Sequence, residues 1–183
     1  MSTKVRATVE DLYHVREHGK AEIIDGELIH MSPTGMKPSR ASSRIWRSLD
    51  DYERMYGGGY AIADNAGFSV NLPNRDSFSP DAAWYTGKDT GMKFLEGAPA
   101  FAVEVRSEND YGATAERDMA DKRGDYFAAG TLVVWDVDLQ SDEVVKVYKH
   151  TDPDHPTIYK RGEIAEAEPA VKDWTMPVDE LFS

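Results

Sequence analysis

The longest regular pattern of apolar positions lies between residues 39 and 56 and predicts a helix. Its apolar residues recur at the spacing of one helix face: Ile45, Leu49, Tyr52 and Tyr56. Consecutive glycines at residues 57–59 predict the end of this helix. A second long helix is predicted over residues 113–129, because Gly130 stands where a glycine commonly ends a helix.

Short apolar runs around these helices predict strands. Asp25-Gly26 between two apolar runs predicts a β-hairpin within residues 22–31. Further strands are expected at residues 60–63, 67–72, 81–85, 101–106, 131–137, 143–149 and 157–160. Thr8 is expected to begin a short helix, and residues 174–182 to form a terminal turn. This order predicts an α+β fold with an α/β-type core, in which helices flank a mixed sheet within one domain, residues 1–183.

Composition narrows the class of protein. A chain of 183 residues that is 40% hydrophobic and 30% charged is typical of one globular domain. The absence of cysteine excludes disulfides, thiolate metal sites and thiol nucleophiles. No apolar run approaches the ~18 residues of a membrane span, and the N-terminal residues lack the apolar core of a signal peptide. A cytoplasmic protein without a membrane partner is therefore expected.

The charge distribution bears on possible partners. The formal net charge of −12 disfavours broad binding to a polyanion. The acidic excess lies after residue 60, because the residues before it hold nine basic and nine acidic side chains. Four cations share one face at the first long helix and form what we call the basic stripe: Lys37, Arg40, Arg44 and Arg47. The stripe is a candidate for phosphate contacts; a solvated helix face, or a surface that pairs with a second subunit, is the alternative.

Two carboxylates occupy positions in predicted apolar strands. Glu104 lies within the run 101–105, and Asp81 opens the run 81–85. A carboxylate on a central strand is costly to bury unless a cation or a metal ion accompanies it. Glu104 either faces solvent, pairs with Arg106 two residues along, or belongs to a functional site, and the residues alone leave these alternatives open.

Lys122 is a third charged residue in an unexpected place. In the second predicted helix it shares a narrow stripe with Ala115, Met119 and Tyr126, on the face expected to pack against the sheet. A lysine there either extends to the edge of the sheet or reaches a buried carboxylate. The presence of Glu104 in an apolar strand favours a site that the two residues share.

Five short motifs connect this sequence to a known family. They are Ala21–Leu28, Ser79–Asp81, Phe101–Ser107, Lys122–Tyr126 and Gly130–Asp138. In this order and spacing the sequence resembles the Uma-type putative restriction endonucleases of the PD-(D/E)XK, restriction-endonuclease-like superfamily, over about residues 8–182. The resemblance implies a restriction-endonuclease-like sheet and hydrolysis of phosphodiester bonds in nucleic acid.

The resemblance also implies roles for individual residues. Pro80-Asp81 is similar to the first superfamily motif and Glu104 to its second acid, whereas Arg106 stands where the superfamily pattern has lysine. Lys122 matches a helical lysine of the Uma-type proteins, and Glu22 matches an acid that completes the site. The implied cofactor is Mg²⁺, or alternatively Mn²⁺, bound by Asp81, Glu104 and Glu22.

The same resemblance predicts how the site would act. Lys122 would position or help to deprotonate the attacking water and stabilise the transition state. Arg106 would contact the scissile phosphate or neutralise Glu104. Nucleic acid, with DNA preferred, and a second copy of the chain in a homodimer or higher homo-oligomer are the expected partners.

The sequence departs from the family pattern at two places. Ala21 stands where the family usually has tyrosine, and residues 35–44 lack a histidine that is often found there. Neither departure removes an implied metal ligand. Two alternatives stay open: a catalytically silent module that binds nucleic acid or regulates, and a hydrolase of small phosphoesters, which the acidic charge would suit.

Overall fold

A six-stranded mixed sheet forms the centre of the computed structural model, which describes residues 6–15 and 19–183. The helices are α1 (Val9–Tyr13), α2 (Met36–Tyr56) and α3 (Ala113–Ala128), followed by a 3₁₀ helix (Val178–Phe182). The strands are β1 (Ala21–Ile24), β2 (Glu27–His30), β3 (Tyr60–Ala63), β4 (Phe68–Ser69), β5 (Ser77–Phe78), β6 (Ala82–Tyr85), β7 (Leu95–Glu96), β8 (Phe101–Val105), β9 (Val133–Val137), β10 (Val145–Lys149), β11 (Asp152–Tyr159), β12 (Ile164–Glu166) and β13 (Thr175–Pro177).

The central sheet has the strand order β11-β10-β9-β8-β6-β3. Strands β8 and β9 pair in parallel, and the other neighbouring strands of this sheet pair antiparallel. Helix α3 is the crossover connection that two parallel strands require. The predicted α+β fold with a mixed sheet flanked by helices is confirmed.

The two long helices cover opposite faces of this sheet. Side chains alternate between the faces along β8, so that Phe101, Val103 and Val105 share a core with α2. Ala102 shares a second core with Tyr126 of α3. Glu104, two residues after Ala102, therefore faces α3, on the side of the sheet away from α2.

The hairpin β1–β2 forms as the Asp25-Gly26 pair predicts. Both turn residues have positive φ, 51° and 75°, as a two-residue type I′ turn requires. The Asp25 N–H donates to the carbonyl of Asn74 (2.8 Å), and the Asp76 N–H donates to the carbonyl of Ile23 (3.1 Å). These contacts join the hairpin to the body of the protein and bury Glu22, which β1 carries.

Several predicted bounds differ from the observed ones. Helix α2 begins at Met36 rather than residue 39, because Pro38 fits the first helical turn, where its missing N–H has no helical partner to lose. The strand predicted at residues 67–72 is limited to Phe68–Ser69. Strand β11 is longer than predicted and contains Pro153 and Pro156, which its position at the edge of the sheet allows. In the described part of the chain, no helix has the length and apolar character needed to cross a membrane.

Candidate active site

Asp81 and Glu104 lie side by side at the end of β8. The Asp81 N–H donates to the carbonyl of Val103 (3.0 Å), and its Oδ2 accepts from the N–H of Val105 (2.8 Å). Asp81 thus binds the main chain on both sides of Glu104. The order Pro80-Asp81 before β6, together with the pairing of β6 and β8, brings the two carboxylates into the same cleft.

Lys122 reaches this pair of acids from α3. Its Nζ lies 2.9 Å from Oε1 of Glu104 and 3.0 Å from Oε1 of Glu22. Its side chain is 17% exposed, so it does not extend into solvent. The sequence-based expectation that Lys122 points at buried acids agrees with this geometry, and Glu104 pairs with Lys122 rather than with Arg106.

Glu22 is fully buried, and both of its carboxylate oxygens are engaged. Oε2 accepts from Nη1 of Arg75 (2.6 Å), and Oε1 accepts from the N–H of Ser79 (2.8 Å) and faces Nζ of Lys122. Glu22 therefore joins the β1 hairpin, the segment before Asp81 and helix α3 at one point. Glu22 thus meets three protein donors, whereas Asp81 and Glu104, the other two acids of the predicted ligand set, each meet two.

Arg75 and Tyr126, which the sequence did not single out as site residues, surround this cluster. Arg75 is buried, donates from Nε to Oδ2 of Asp125 (2.7 Å) and lies over the ring of Phe78. Phe78 stacks on Tyr126 with ring centroids 4.1 Å apart, and the Tyr126 hydroxyl donates to Oε1 of Glu104 (2.7 Å). Arg75 thus fixes the Glu22 carboxylate, and Tyr126 fixes the Glu104 carboxylate.

Lys20 is a second ammonium group in the site that sequence reasoning missed. Its Nζ lies 2.7 Å from Oδ1 of Asp64 and 3.0 Å from Oδ1 of Asp81. No periodic pattern marked Lys20, because it precedes β1 in an irregular segment. Its proximity to Asp81 depends on how the hairpin docks on the sheet.

The electrostatics of the cluster follow from burial and from these contacts. Burial raises the pKa of Glu104, and the nearby Asp81 carboxylate raises it further, although Lys122 opposes the shift. Burial alone would lower the pKa of Lys122, but the Glu104 and Glu22 carboxylates outweigh it, and the net pKa lies above the usual lysine value. Burial also raises the pKa of the Tyr126 hydroxyl, as does the Glu104 carboxylate. Lys122 is therefore held in its charged form.

Arg106 does not pair with Glu104, which is one of the two roles predicted for it. Its guanidinium binds both oxygens of Asp136 (2.7 and 2.8 Å) and also Glu116. Asp136 lies opposite Glu104 in the register of β8 and β9. Both Asp136 and Arg106 line the cleft that contains Glu104. The structure brings Arg106 to the site, but it pairs Arg106 with Asp136 and Glu116 instead of Glu104.

Comparison with known proteins places the chain in a family. The sequence matches the family described as Uma2, putative restriction endonuclease, over residues 7–179. The chain belongs to this family. The resemblance drawn from the motifs is thereby confirmed, while none of the curated proteins matches the sequence.

The fold of this Uma2 family member is also found in a solved structure. It is similar to the crystal structure of a putative nuclease belonging to DUF820 from Anabaena variabilis ATCC 29413. The TM-score is 0.74 at 16% sequence identity, and the match covers 96% of this chain and 97% of that chain. At this identity the likeness shows a shared fold.

The donor chemistry of the cleft suits a hard divalent cation. A cleft of about 750 Å³ contains Asp81 and Glu104. Across the ion pairs of the cluster, five carboxylates (Glu22, Asp64, Asp81, Glu104 and Asp125) share three cations (Lys20, Arg75 and Lys122), which leaves an excess of two negative charges. Within residues 6–15 and 19–183, no group of three or more acidic or histidine side chains is arranged to hold a metal ion. Two carboxylates in an open cleft are oxygen ligands of the kind that Mg²⁺ takes, with water and phosphate oxygens completing its coordination.

None of the four residues of the basic stripe lines the cleft of this site. These residues belong to α2, which covers the opposite face of the sheet. Arg40 donates to the main-chain oxygen of Ser183 (3.0 Å), and Arg44 donates to that of Glu180 (2.8 Å). Lys37 and Arg47 are exposed. The structure does not bring the stripe together with Glu104 and Lys122.

Proposed function

We propose that this protein is a nuclease that hydrolyses phosphodiester bonds, preferentially in DNA, with Mg²⁺ or Mn²⁺ as cofactor. The observation that carries the proposal is the position of Lys122. Its charged group is held between Glu22 and Glu104, beside Asp81, in an open cleft. Family membership and the nuclease fold support the same reaction class.

Asp81 and Glu104 are the residues that would hold the metal ion. The contacts of Glu104 with Lys122 and Tyr126 both fall on Oε1, so Oε2 is the oxygen we assign to the metal. When bound, Mg²⁺ supplies Lewis acidity at phosphate and a bound water of lowered pKa. The Val105 N–H and the Lys20 ammonium group, one on each carboxylate oxygen, fix the position of Asp81.

Lys122 would act as a charged donor rather than as a base. Because the carboxylates of Glu104 and Glu22 raise its pKa, it keeps its proton at neutral pH. A fixed ammonium group stabilises negative charge that develops on a phosphoryl oxygen, and it needs no reorganisation during the reaction. We therefore assign charge stabilisation and the orientation of water to Lys122 as its first roles.

A cleavage assay tests this proposal. Purified protein is incubated with plasmid, single-stranded DNA and RNA, with Mg²⁺, with Mn²⁺ or with a chelator. We expect metal-dependent strand cleavage that Asp81→Asn and Glu104→Gln abolish. Retained cleavage in both variants, or equal cleavage in the chelator, would contradict the proposed site.

A second candidate is hydrolysis of a small phosphoester. The observation that favours it is charge: Asp110 and Asp118 also line the cleft, in a chain of net charge −12, and the basic stripe lies on the other face. An acidic rim repels a long polyanion more than a compact monoanion. Turnover of bis(p-nitrophenyl) phosphate without cleavage of any nucleic acid would favour this second function. Nucleic-acid binding without any turnover would instead indicate a silent binding module.

A further inference from the structure

We propose that Glu22 and Arg75 act as positioning residues for Lys122 and do not belong to the metal-ligand set. This inference rests on the proposed function only for the role of Lys122. The placement itself stands on contacts among buried groups. It changes the expectation drawn from the family resemblance, in which Glu22 completes a three-carboxylate metal site.

The first step is the full engagement of Glu22. Its side chain is 1% exposed and that of Arg75 is 4% exposed. Arg75, the Ser79 N–H and Lys122 already meet its two oxygens at 2.6, 2.8 and 3.0 Å. A metal ion at Glu22 would have to displace one of these donors and leave it buried without a partner, which is costly. Asp81 and Glu104 differ from Glu22 because both line the cleft. Both contacts of Glu104 fall on Oε1, and the Lys20 ammonium group that meets Oδ1 of Asp81 also lines the cleft, where water can solvate it once it is displaced.

The second step is the connection of Arg75 to α3. Asp125 lies three residues after Lys122, on the neighbouring turn of the helix. Arg75 binds Glu22 through Nη1 and Asp125 through Nε, and Asn74 also donates to Asp125 (2.9 Å). One guanidinium thus ties the turn that carries Lys122 to the same carboxylate that Lys122 meets. This two-pronged contact suits arginine and cannot be reproduced by lysine, which lacks the planar fork.

The third step is a difference between the glutamates that face Lys122. Glu104 lines the cleft, so a cation that enters the cleft would compete with Lys122 for its carboxylate. Glu22 is fixed by Arg75 and Ser79, so it holds Lys122 in place whatever occupies the cleft. Glu22 and Arg75 together therefore keep the ammonium group at a constant position relative to β8.

Two measurements on the intact protein test this inference. Calorimetry with Mn²⁺ compares Glu22→Gln and Arg75→Lys with Asp81→Asn and Glu104→Gln. We expect the first two variants to keep the Mn²⁺ affinity within about threefold, and the last two to lose about tenfold or more, because only the latter remove a ligand charge.

The rate at which acetic anhydride modifies Lys122, measured by mass spectrometry relative to exposed Lys160, reports its position without any need for turnover. We expect this ratio to rise several-fold in Glu22→Gln and in Arg75→Lys.

Matched controls separate positioning from general loosening of the fold. Arg54→Lys alters a surface ion pair with Asp50 and should leave the Lys122 modification rate unchanged. Arg75→Lys keeps the charge and serves if Glu22→Gln does not fold, as judged by circular dichroism. Loss of Mn²⁺ affinity in Glu22→Gln equal to that in Asp81→Asn would overturn the inference, as would an unchanged modification rate in both variants. If the wild type cleaves no substrate but the variants give the expected Mn²⁺ affinities and modification rates, the proposed function fails and the positioning role stands. If the wild type binds no Mn²⁺, the Lys122 modification rates alone decide whether the positioning role holds.

Discussion

The two concentrations of charge in this chain lie on opposite faces of one sheet and differ in how they are paired. On the α3 face, Glu22, Glu104 and Lys122 are buried or half-buried, and each contacts oppositely charged groups. On the α2 face, the basic stripe is largely exposed and makes no ion pair with a carboxylate side chain of the described residues. The sequence drew attention to both groups, but burial and pairing separate them.

The difference shows which unexpected charges indicate function. A buried charge must be compensated, and a cluster of compensated charges that opens into a cleft is an arrangement that protein stability alone does not favour. Exposed cations on a helix need no compensation, because water solvates them. The α3 face is therefore the stronger candidate for chemistry, and the stripe for solubility or weak contacts.

Replacement of Lys122 is expected to have the largest effect on activity. Lys122→Met should lower the rate of metal-dependent cleavage by about 10²- to 10³-fold, the usual cost of removing one preorganised donor at a developing charge. Mn²⁺ binding should persist, since Asp81 and Glu104 remain. Lys172→Met, at an exposed lysine outside the cleft, is the matched control. Cleavage at the wild-type rate in Lys122→Met would remove the proposed role.

Replacement of Arg106 compares a buried arginine with an exposed arginine of the basic stripe by their effects on the free energy of unfolding. Arg106→Gln leaves buried Asp136 without its bidentate partner, which should lower the free energy of unfolding by about 3 kcal/mol or more. Arg47→Gln in the basic stripe should change it by less than about 0.5 kcal/mol. Urea unfolding of both variants measures the contrast. Equal stability of the two variants would show that burial does not distinguish these arginines.

The sequence predicted much of the fold and part of the site, for identifiable reasons. Alternation and helical periodicity located β8 and α3, so Glu104 and Lys122 stood out as charges on apolar faces. The Asp25-Gly26 turn is a local signal and was enough to predict the hairpin. The contact partners were less accessible: Arg75 and Lys20 lie in irregular segments, and their contacts with Glu22 and Asp81 depend on how distant segments dock. The pairing of Arg106 with Asp136 depends likewise on the register of β8 and β9.

The basic stripe offers a test in which little change is expected. Because α2 covers the face of the sheet away from Glu104, combined Arg40→Gln, Arg44→Gln and Arg47→Gln should leave the cleavage rate of a short duplex within about twofold. The salt dependence of binding should also keep its slope, since every arginine that neutralises a phosphate adds roughly one log unit to that slope. Filter binding at several salt concentrations measures this. A slope reduced by two or three units would place nucleic acid across the stripe, as the sequence-based prediction had it.

The smallest expected effect is on the pH dependence of stability and concerns Glu116, the exposed partner of Arg106. The hydrogen bonds from Arg106 hold the pKa of Glu116 below its usual value. A carboxyl group whose pKa is lowered by folding adds stability that is complete above its unfolded pKa and is lost as pH falls through the folded pKa. Because the Glu116 side chain is 54% exposed, solvent screening limits this contribution to about 0.5 kcal/mol. Glu116→Gln should therefore be slightly less stable than the wild type at pH 7, and the two should converge below about pH 4 in thermal unfolding. A difference that persists unchanged at acid pH would show that Glu116 stabilises the fold through packing and not through its charge.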